Sequence, residues 1–242
     1  MAQHSHSSVK AQFANTRWTL VAAMQDGEGG AQRHLLELCL HNWYPVYSYL
    51  CRCGHAPEIA QQLTRSFFDQ LLREGPDRAV NSNFGRFHQF LLAELHRFLS
   101  SDRPPASASA PEPPLTLAEM EARQRGESTF AGSPEQALRR GFALEVISSS
   151  LAKLRSEARE AGRLDMFEAM ERFLTTEPLP GELEVVATRF ALRPLFVVMA
   201  MKRLRERFRE LIDNALGDTV LNTEELEAER RALQQALAGD SA

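Results

Sequence analysis

Several features that mark membrane, secreted or disulfide-linked proteins are missing from this sequence. No window approaches the run of about 18 uncharged apolar residues with which a helix crosses a bilayer. Residues 1–10 are polar and lack the apolar centre of a signal peptide. The three cysteines, Cys39, Cys51 and Cys53, are an odd number, which suits a reducing compartment. We therefore expect a cytoplasmic protein without membrane insertion.

The motifs of common catalytic and metal sites are also missing. The seven histidines show no H-E-x-x-H spacing, and there is no glycine-rich phosphate loop or nucleophile elbow. Cys51, Cys53 and His55 form a C-x-C-x-H pattern with Cys39 nearby. Structural zinc sites add a second pair of ligands to the first, and no such pair follows here. We expect no enzyme activity, no cofactor and no metal.

Helical periodicity dominates what the sequence does contain. Apolar residues recur at intervals of three and four over most of the chain, and almost no window alternates as a strand does. We predict an all-α fold with breaks at Pro45, at Gly75-Pro76 and at Asn81-Ser82-Asn83. The predicted helices cover residues 16–24, 31–53, 54–72, 84–99, 134–161, 163–175, 182–190, 195–216 and 222 onward.

A proline-rich segment divides the chain. Residues 102–114 contain five prolines and no large apolar side chain, which is typical of an extended linker. Asn222, with Glu225 three residues later, is the expected cap of the last helix. That helix either folds back to regulate the domains or extends the core of the second one. The predicted organisation is a helical domain at 13–101, a flexible linker at 102–133, a second helical domain at 134–216 and a C-terminal extension at 217–242.

The helix at 54–72 is amphipathic. At about 100° per residue, Ala60, Leu63, Phe67 and Leu71 share one face. Three motifs in and around it, W-Y-P-V-Y at 43–47, R-C-G-H-x-P-E at 52–58 and L-T-x-x-F-F at 63–68, follow a T-R-W-T-L-V opening at 16–21. Their order resembles region 2 of bacterial extracytoplasmic-function sigma factors of the long branch.

The resemblance implies that this helix grips the coiled coil of the β′ clamp of core RNA polymerase. The contact would use its polar arc, which consists of Glu58, Gln62, Arg65, Ser66 and Asp69. The acidic residues of relatives are missing, however: their positions hold Ile59, Gln62 and Ser66, and Arg65 replaces a glutamine. Losing even two good ion pairs at such an interface costs several kcal/mol of binding free energy. The unmodified chain should therefore bind polymerase poorly.

Phosphorylation would restore the missing charge, because a phosphate adds about −1.5 to −2 charges. Ser66 lies on the polar arc at the position of a family glutamate, which favours it on geometry. Thr64 lies at the edge of the apolar face and is expected to be half-buried. Similar sigma factors that lack the acids are tied to transmembrane Ser/Thr kinases that modify a threonine of this helix, which favours Thr64. Both hydroxyls are therefore candidates, and a Ser/Thr kinase is an expected partner.

The second domain resembles region 4 of the same family. Residues 183–209 predict a short helix, a turn before Pro194 and a longer helix, the pattern of a helix-turn-helix whose second helix enters the major groove. The resemblance implies recognition of the −35 promoter element. The start of the second helix is apolar where relatives carry small, polar or basic residues. Its expected DNA contacts are Arg193, Lys202, Arg203, Arg205 and Arg207, and its apolar start consists of Leu195, Phe196, Val198 and Met199.

The helix at 84–99 matches the part of region 2 that reads the −10 promoter element. Its expected DNA contacts are Arg86, His88 and Arg97. Relatives continue into a basic run, which is replaced here by Ser100, Ser101 and Asp102. Because the net charge is −4, DNA affinity would have to come from such local clusters of cations.

These observations predict a sigma factor that binds core RNA polymerase and promoter DNA and is switched by phosphorylation of the helix at 54–72. The alternative is a degenerate sigma homologue without promoter activity. Such a protein-interaction module would bind a partner through the apolar start of its last long helix.

Overall fold

The computed structural model describes residues 16–23, 27–80, 84–101, 105–127 and 132–238. These residues form helices and contain no strand apart from one isolated antiparallel bridge between Arg86 and Val220. The prediction of an all-α fold is confirmed. The helices are α1 (Arg17–Ala23), α2 (Gly27–His41), α3 (Trp43–Arg52), α4 (Pro57–Val80), α5 (Phe87–Ser100), α6 (Leu117–Gly126), α7 (Pro134–Glu160), α8 (Leu164–Met170) with a 3-10 turn (Glu171–Leu174), α9 (Glu182–Arg189), α10 (Pro194–Gly217) and α11 (Thr223–Ala238).

Local signals in the sequence set several of these boundaries. The break expected at Pro45 lies at Asn42, so Pro45 falls in the first turn of α3, where its missing N–H costs least. The side-chain oxygen of Asn222 accepts a hydrogen bond from the backbone N–H of Glu225 at 3.0 Å. The predicted cap of the last helix is therefore confirmed.

The break predicted at Gly75-Pro76 is wrong, because α4 continues to Val80. A proline has no N–H with which to bond the carbonyl four residues earlier, here that of Leu72. In this structure the Leu72 carbonyl instead accepts a hydrogen bond from Nε2 of Gln32 on α2, at 3.3 Å. A side chain from a neighbouring helix thus satisfies the oxygen that Pro76 leaves without a partner. The break predicted at residues 81–83 lies outside the described residues.

One compact unit contains the described residues of Met1–Glu145 and Leu216–Ala242. Aromatic side chains from helices distant in sequence meet in its core. Those buried almost completely are Trp18, Trp43, Tyr47, Phe67, Phe68, Phe87, Phe90 and Phe98.

The chain re-enters this unit through a buried connection between α10 and α11, which we call the return strap (residues 216–221). Backbone hydrogen bonds join it to the N-terminal end of α5: the Phe87 N–H donates to Thr219 at 2.8 Å and the Leu221 N–H donates to Gly85 at 3.1 Å. Val220 is fully buried. The strap is therefore part of the first unit's core.

The second compact unit is Val146–Ala215. Its core has two apolar clusters, one around Phe173, Val186 and Val197 and the other around Phe167 and Phe208. In the turn between α9 and α10, Ala191 adopts a left-handed backbone with φ of 51°. This unit thus contains the predicted pair of helices joined by a tight turn.

The compact units do not coincide with the predicted domain boundaries. Helices α7 and α10 run through the divisions at 145/146 and 215/216, and the extension predicted at 217–242 belongs to the first unit instead of standing apart. Periodicity cannot locate such divisions, because a long helix keeps one pattern while its two ends pack in different cores.

The expectation of a flexible linker at 102–133 needs correction for its described part, residues 105–127 and 132–133. Helix α6 starts with a capping box in which Thr116 and Glu119 bond each other's backbone N–H. Met120 is fully buried against the core of the first unit, with Leu115 and Leu117 packed beside it. Three apolar side chains after the prolines thus pack on the first unit.

We predict that Met120→Ala lowers the free energy of unfolding of the first unit by about 2–5 kcal/mol, because it leaves a cavity in a packed core. Both tryptophans, Trp18 and Trp43, are buried in that unit, so fluorescence during urea unfolding reports on it alone. The exposed Arg125→Ala on the same helix should change stability by no more than about 0.5 kcal/mol. Equal stability of Met120→Ala and wild type would mean that α6 does not pack on the core.

Candidate functional site

The inner face of α4 includes the hydroxyl of Thr64. This side chain is fully buried, and its Oγ1 donates a hydrogen bond to the carbonyl of Ala60 at 2.7 Å. The position was expected at the margin of the apolar face and to be half-buried. Burial is complete because Phe67 and Phe68, on the following turn, are themselves buried in the aromatic core. The first phosphorylation candidate is thus inaccessible in this conformation.

The polar arc of α4 is only partly open to solvent. Glu58 and Gln62, near its start, are exposed as expected. Ser66 is 8% exposed and Asp69 is 4% exposed, although both point away from the aromatic core. The second half of the predicted polymerase-binding surface, with the second phosphorylation candidate, is therefore covered.

The cover is residues 105–126, the proline-rich chain and α6, which we call the covering segment. Asp69 accepts two hydrogen bonds from Ser107, one from its N–H at 2.9 Å and one from its hydroxyl at 2.8 Å. Arg65 forms an ion pair with Glu112 at 2.7 Å, and Arg73 lies 3.2 Å from the Asp69 carboxylate. Residues that would contact a polymerase thus bind the chain's own linker.

Helix α6 anchors the far end of the covering segment. Its Arg123 guanidinium lies 4.0 Å from the centroid of the Tyr44 ring on α3 and forms an ion pair with Glu145 on α7 at 2.9 Å. Helix α6 also contacts α4. The covering segment is therefore held at both ends, by polar contacts to α4 and by apolar and cation–π contacts to the core.

Of the cations expected to read the −10 element, Arg86 and His88 lie at the start of α5 beside carboxylates of another helix, and Arg97 lies in its last turn. Arg86 lies 2.9 Å from Glu225 and 3.4 Å from Glu229, both on α11. Nδ1 of His88 lies 2.5 Å from the Glu229 carboxylate. The third, Arg97, is exposed and lies 2.9 Å from Glu94 on its own helix. Of these predicted DNA contacts, only Arg97 is freely accessible.

Glu229 is charged although it is buried. Burial favours the neutral carboxyl, but charge and hydrogen bonds from His88 and Arg86 outweigh it and hold the pKa of Glu229 below its usual value. A carboxyl with a lowered pKa stabilises the fold above its unfolded-state pKa and loses that contribution as the pH falls through the folded-state pKa. At neutral pH the pairing with Arg86 is therefore fully present.

The predicted DNA contacts on α10 divide into two groups. Arg193, Lys202 and Arg203 are exposed at the turn and on the first half of the helix. The other two serve the fold: the guanidinium of Arg205 donates to the Phe173 carbonyl at 3.0 and 2.8 Å.

Arg207 forms ion pairs with Glu157 on α7 at 2.6 Å and with Glu210 at 2.9 Å. Its hydrogen bond lowers the pKa of Glu157, which keeps this carboxylate charged. Arg207 thus joins two helices of the second unit, and sequence spacing alone did not distinguish it from the exposed cations.

The first two turns of α10 expose large apolar side chains next to these cations. Leu195 is 68% exposed, Phe196 57%, Val198 48% and Met199 45%, whereas Val197 is buried in the core. We call these four exposed residues the apolar patch. Exposed apolar clusters of this kind mark interaction surfaces more often than scattered single residues do.

The cysteines form no metal site in the part of the chain that the structure describes, where no group of three or more His, Cys, Asp or Glu side chains could hold an ion. Cys39 is buried in the core, and burial raises the pKa of its thiol. Cys51 and Cys53 lie at the end of α3. Among the described helices none is both long enough and apolar enough to cross a membrane.

Comparison with protein-family models, with curated proteins and with solved structures finds no match to this chain.

Sequence reasoning missed two functional features, the covering segment and the carboxylates that hold Arg86. A signal for the first was present, because Thr116 and Glu119 have the spacing of a capping box before Met120. The second had no local signal, because Glu229 is 143 residues away from Arg86.

We predict that Asp69→Asn loosens the covering segment. An asparagine can turn only one acceptor oxygen towards Ser107, and hydrogen bonds to a charged acceptor contribute about 1.5–3 kcal/mol. Hydrogen exchange at the amides of 107–112 should therefore become about tenfold faster or more. The matched control is Glu112→Gln, since its exposed ion pair with Arg65 contributes about 0–1 kcal/mol. Unchanged exchange in Asp69→Asn would show that Asp69 does not hold the segment.

Proposed function

We propose that this chain is a sigma factor of the extracytoplasmic-function type, which binds core RNA polymerase in the cytoplasm and directs initiation at specific promoters. The observation that carries the proposal is the pair α9 and α10. A short helix, a tight turn and a longer helix present three exposed cations, Arg193, Lys202 and Arg203, where a helix-turn-helix contacts DNA. The order of the motifs along α1, α3 and α4 supports the same proposal. On this proposal the protein is not an enzyme.

The polymerase would bind the polar arc of α4. Glu58 and Gln62 are available for this contact in the free chain, but Ser66 and Asp69 are covered. Engagement of the whole arc therefore requires Ser107 and Glu112 of the covering segment to separate from Asp69 and Arg65. The arc also needs negative charge, because it presents Arg65 at the position where relatives carry an uncharged glutamine.

A phosphate on α4, added by a Ser/Thr kinase, would supply that charge. Ser66 and Thr64 make different demands on the fold. Ser66 lies on the polar arc one turn before Asp69, which Ser107 of the covering segment binds. Thr64 lies on the inner face, so a kinase reaches it only if α4 separates from the aromatic core. The resemblance favours Thr64 and the burial pattern favours Ser66, and the experiments below distinguish them.

We predict that Thr64→Glu destabilises the first unit by about 3 kcal/mol or more, because it buries a charge without a partner. Ser66→Glu should cost less, since Ser66 lies on the polar arc of α4 and not on its inner face. Tryptophan fluorescence during urea unfolding measures both, and the uncharged controls are Thr64→Val and Ser66→Gln. Equal stability of Thr64→Glu and Thr64→Val would show that α4 opens readily.

Capture of core RNA polymerase tests the function. We expect little capture by the unmodified chain and more by the Glu variant at the modified position, whereas the uncharged controls at that position should behave as the unmodified chain does. Strong capture by the unmodified chain would keep the sigma factor and remove the phosphorylation switch. No capture by any form would contradict the polymerase interaction.

The apolar patch favours a second candidate function, a protein-interaction module without promoter activity. Apolar side chains contact thymine methyl groups but make no hydrogen bonds to bases, so the patch suits a protein partner at least as well as DNA.

Binding of DNA by the full chain as a function of salt separates the two functions. If α10 binds DNA, Arg203→Gln should weaken binding and reduce the slope of log K against log salt by about 1, since one phosphate contact is lost. The control Arg159→Gln removes an exposed charge from the same unit, on α7 instead of α9 or α10. A protein-only module would show no such slope, and neither substitution would then differ from wild type.

A further inference from the structure

The cations at the start of α5 face α11. The contacts of the described residues give them no other partner of opposite charge. Arg86 lies between the carboxylates of Glu225 and Glu229, at 2.9 and 3.4 Å, and His88 lies 2.5 Å from Glu229. Glu225 and Glu229 are four residues apart and therefore project from the same side of α11. The helix thus presents two negative charges in a row to a cationic surface, as two consecutive phosphates of a nucleic acid would.

Ionic contacts from Glu225 and Glu229 join α11 to the start of α5. Only two of its described side chains are buried, Glu229 and Leu233. A 16-residue helix that packs permanently usually buries a broad apolar stripe. The one buried apolar side chain among the described residues of α11 is Leu233, and the others that contribute are half-buried: Leu226, Ala228, Ala232, Ala236 and Leu237.

The seam beside α11 is loosely filled. A cavity of about 720 Å³ lies between α11, α5 and the start of α7, lined in part by Arg139, Arg231 and Gln136. The cavity opens to solvent, so α11 does not close on α5 and α7 along this edge. The further cations at its edge add to the positive charge around His88.

The return strap behaves in the opposite way. Its Thr219 and Val220 are buried, the Thr219 carbonyl accepts from the Phe87 N–H of α5, and the Asp218 carbonyl accepts from the Trp18 N–H of α1 at 3.0 Å. A firmly held strap followed by a weakly held helix allows α11 to leave while the rest of the first unit stays folded.

We propose that α11 and a nucleic-acid backbone compete for Arg86 and His88, with Glu225 and Glu229 occupying the places of two phosphates in the free chain. The inference rests on the proposed function, since it names the regulation of that DNA surface. Nucleic acid binds to α5 only after α11 has moved, so the C-terminal extension keeps free protein off DNA.

A glycine supplies an independent way to test this competition. A Cβ on Gly85 would lie 2.5 Å from Oε1 and 2.8 Å from Cδ of Glu225, so Gly85→Ala must push this side chain aside without changing any charge.

The experiment measures binding of the full chain to fluorescein-labelled DNA of mixed sequence, as duplex and as single strand, across a salt titration. Glu225→Gln/Glu229→Gln should bind about tenfold more tightly at low salt, with a slope of log K against log salt steeper by about 1, because the Arg86 guanidinium then reaches a phosphate. The matched control is Glu224→Gln/Glu227→Gln, which removes the same charge from exposed positions of α11. Adding Arg86→Gln to the first variant should abolish its gain, and Gly85→Ala should show a smaller gain.

The outcomes separate the competition from the function. If wild type binds DNA and Glu225→Gln/Glu229→Gln matches its control, the competition is wrong and the sigma factor stands. If no form binds DNA at any salt, both are wrong.

A measurement on wild type covers the case in which the double variant does not fold. Hydrogen exchange of the amides of 223–238 should become faster when DNA is added, while the return strap stays protected. Unchanged exchange in α11 on saturation with DNA would overturn the competition.

Discussion

The packing of α4 against the aromatic core fixes the orientation of everything that the first unit presents. Phe67 and Phe68 are buried side by side, with ring centroids 5.1 Å apart, and Phe68 also lies 5.1 Å from the Trp43 ring. Because these two residues point inward, Thr64 must point inward too, and Ser66 and Asp69 must point outward. The chemistry available on this helix is therefore decided by two phenylalanines that carry no chemistry themselves.

Two segments of the chain then cover the outward surfaces by ionic and polar contacts. Ser107 and Glu112 bind Asp69 and Arg65 of α4, and the carboxylates of α11 bind Arg86 and His88 of α5. In both places the cover supplies the group that the proposed partner would supply or meet. The charged groups in these contacts are already desolvated in the free chain. Exchanging the chain's own segment for an equivalent external partner therefore requires little net free energy. The proposed surfaces are thus compatible with a chain that binds weakly until something displaces its own segments.

The sequence predicted the features that depend on local pattern. The all-α class, the pair of helices joined by a tight turn and the Asn222 cap each arise from residues within one or two turns of each other, which periodicity and capping preferences describe well. The burial of Thr64 needed knowledge of how far the core wraps around α4, and a helical wheel places a residue without saying how deep it lies. Two contacts join distant parts of the chain: the pairing of Arg86 with Glu229 and the hydrogen bond from Gln32 to the Leu72 carbonyl. No spacing rule detects them. The packing of the covering segment was not predicted, because its prolines indicate a linker and the apolar pattern that follows them is short.

The distribution of cations follows from these tertiary contacts. Arg205 and Arg207 lie on the same helix as Lys202 and Arg203 and carry the same charge. Their guanidinium groups nevertheless bond the Phe173 carbonyl and Glu157. A planar guanidinium with several fixed donors can bridge two helices in a way that a lysine ammonium cannot, so arginines near a core tend to be recruited for the fold. The exposed Arg193, Lys202 and Arg203 are what remains for a partner, next to an apolar patch that offers no hydrogen bonds. A surface with few charges and a broad apolar area gains little from long-range attraction to DNA, so specificity there must depend on close contact. The chain has a net charge of −4, so long-range attraction does not favour DNA. Close contact with α10 therefore decides whether its ligand is a promoter or a protein.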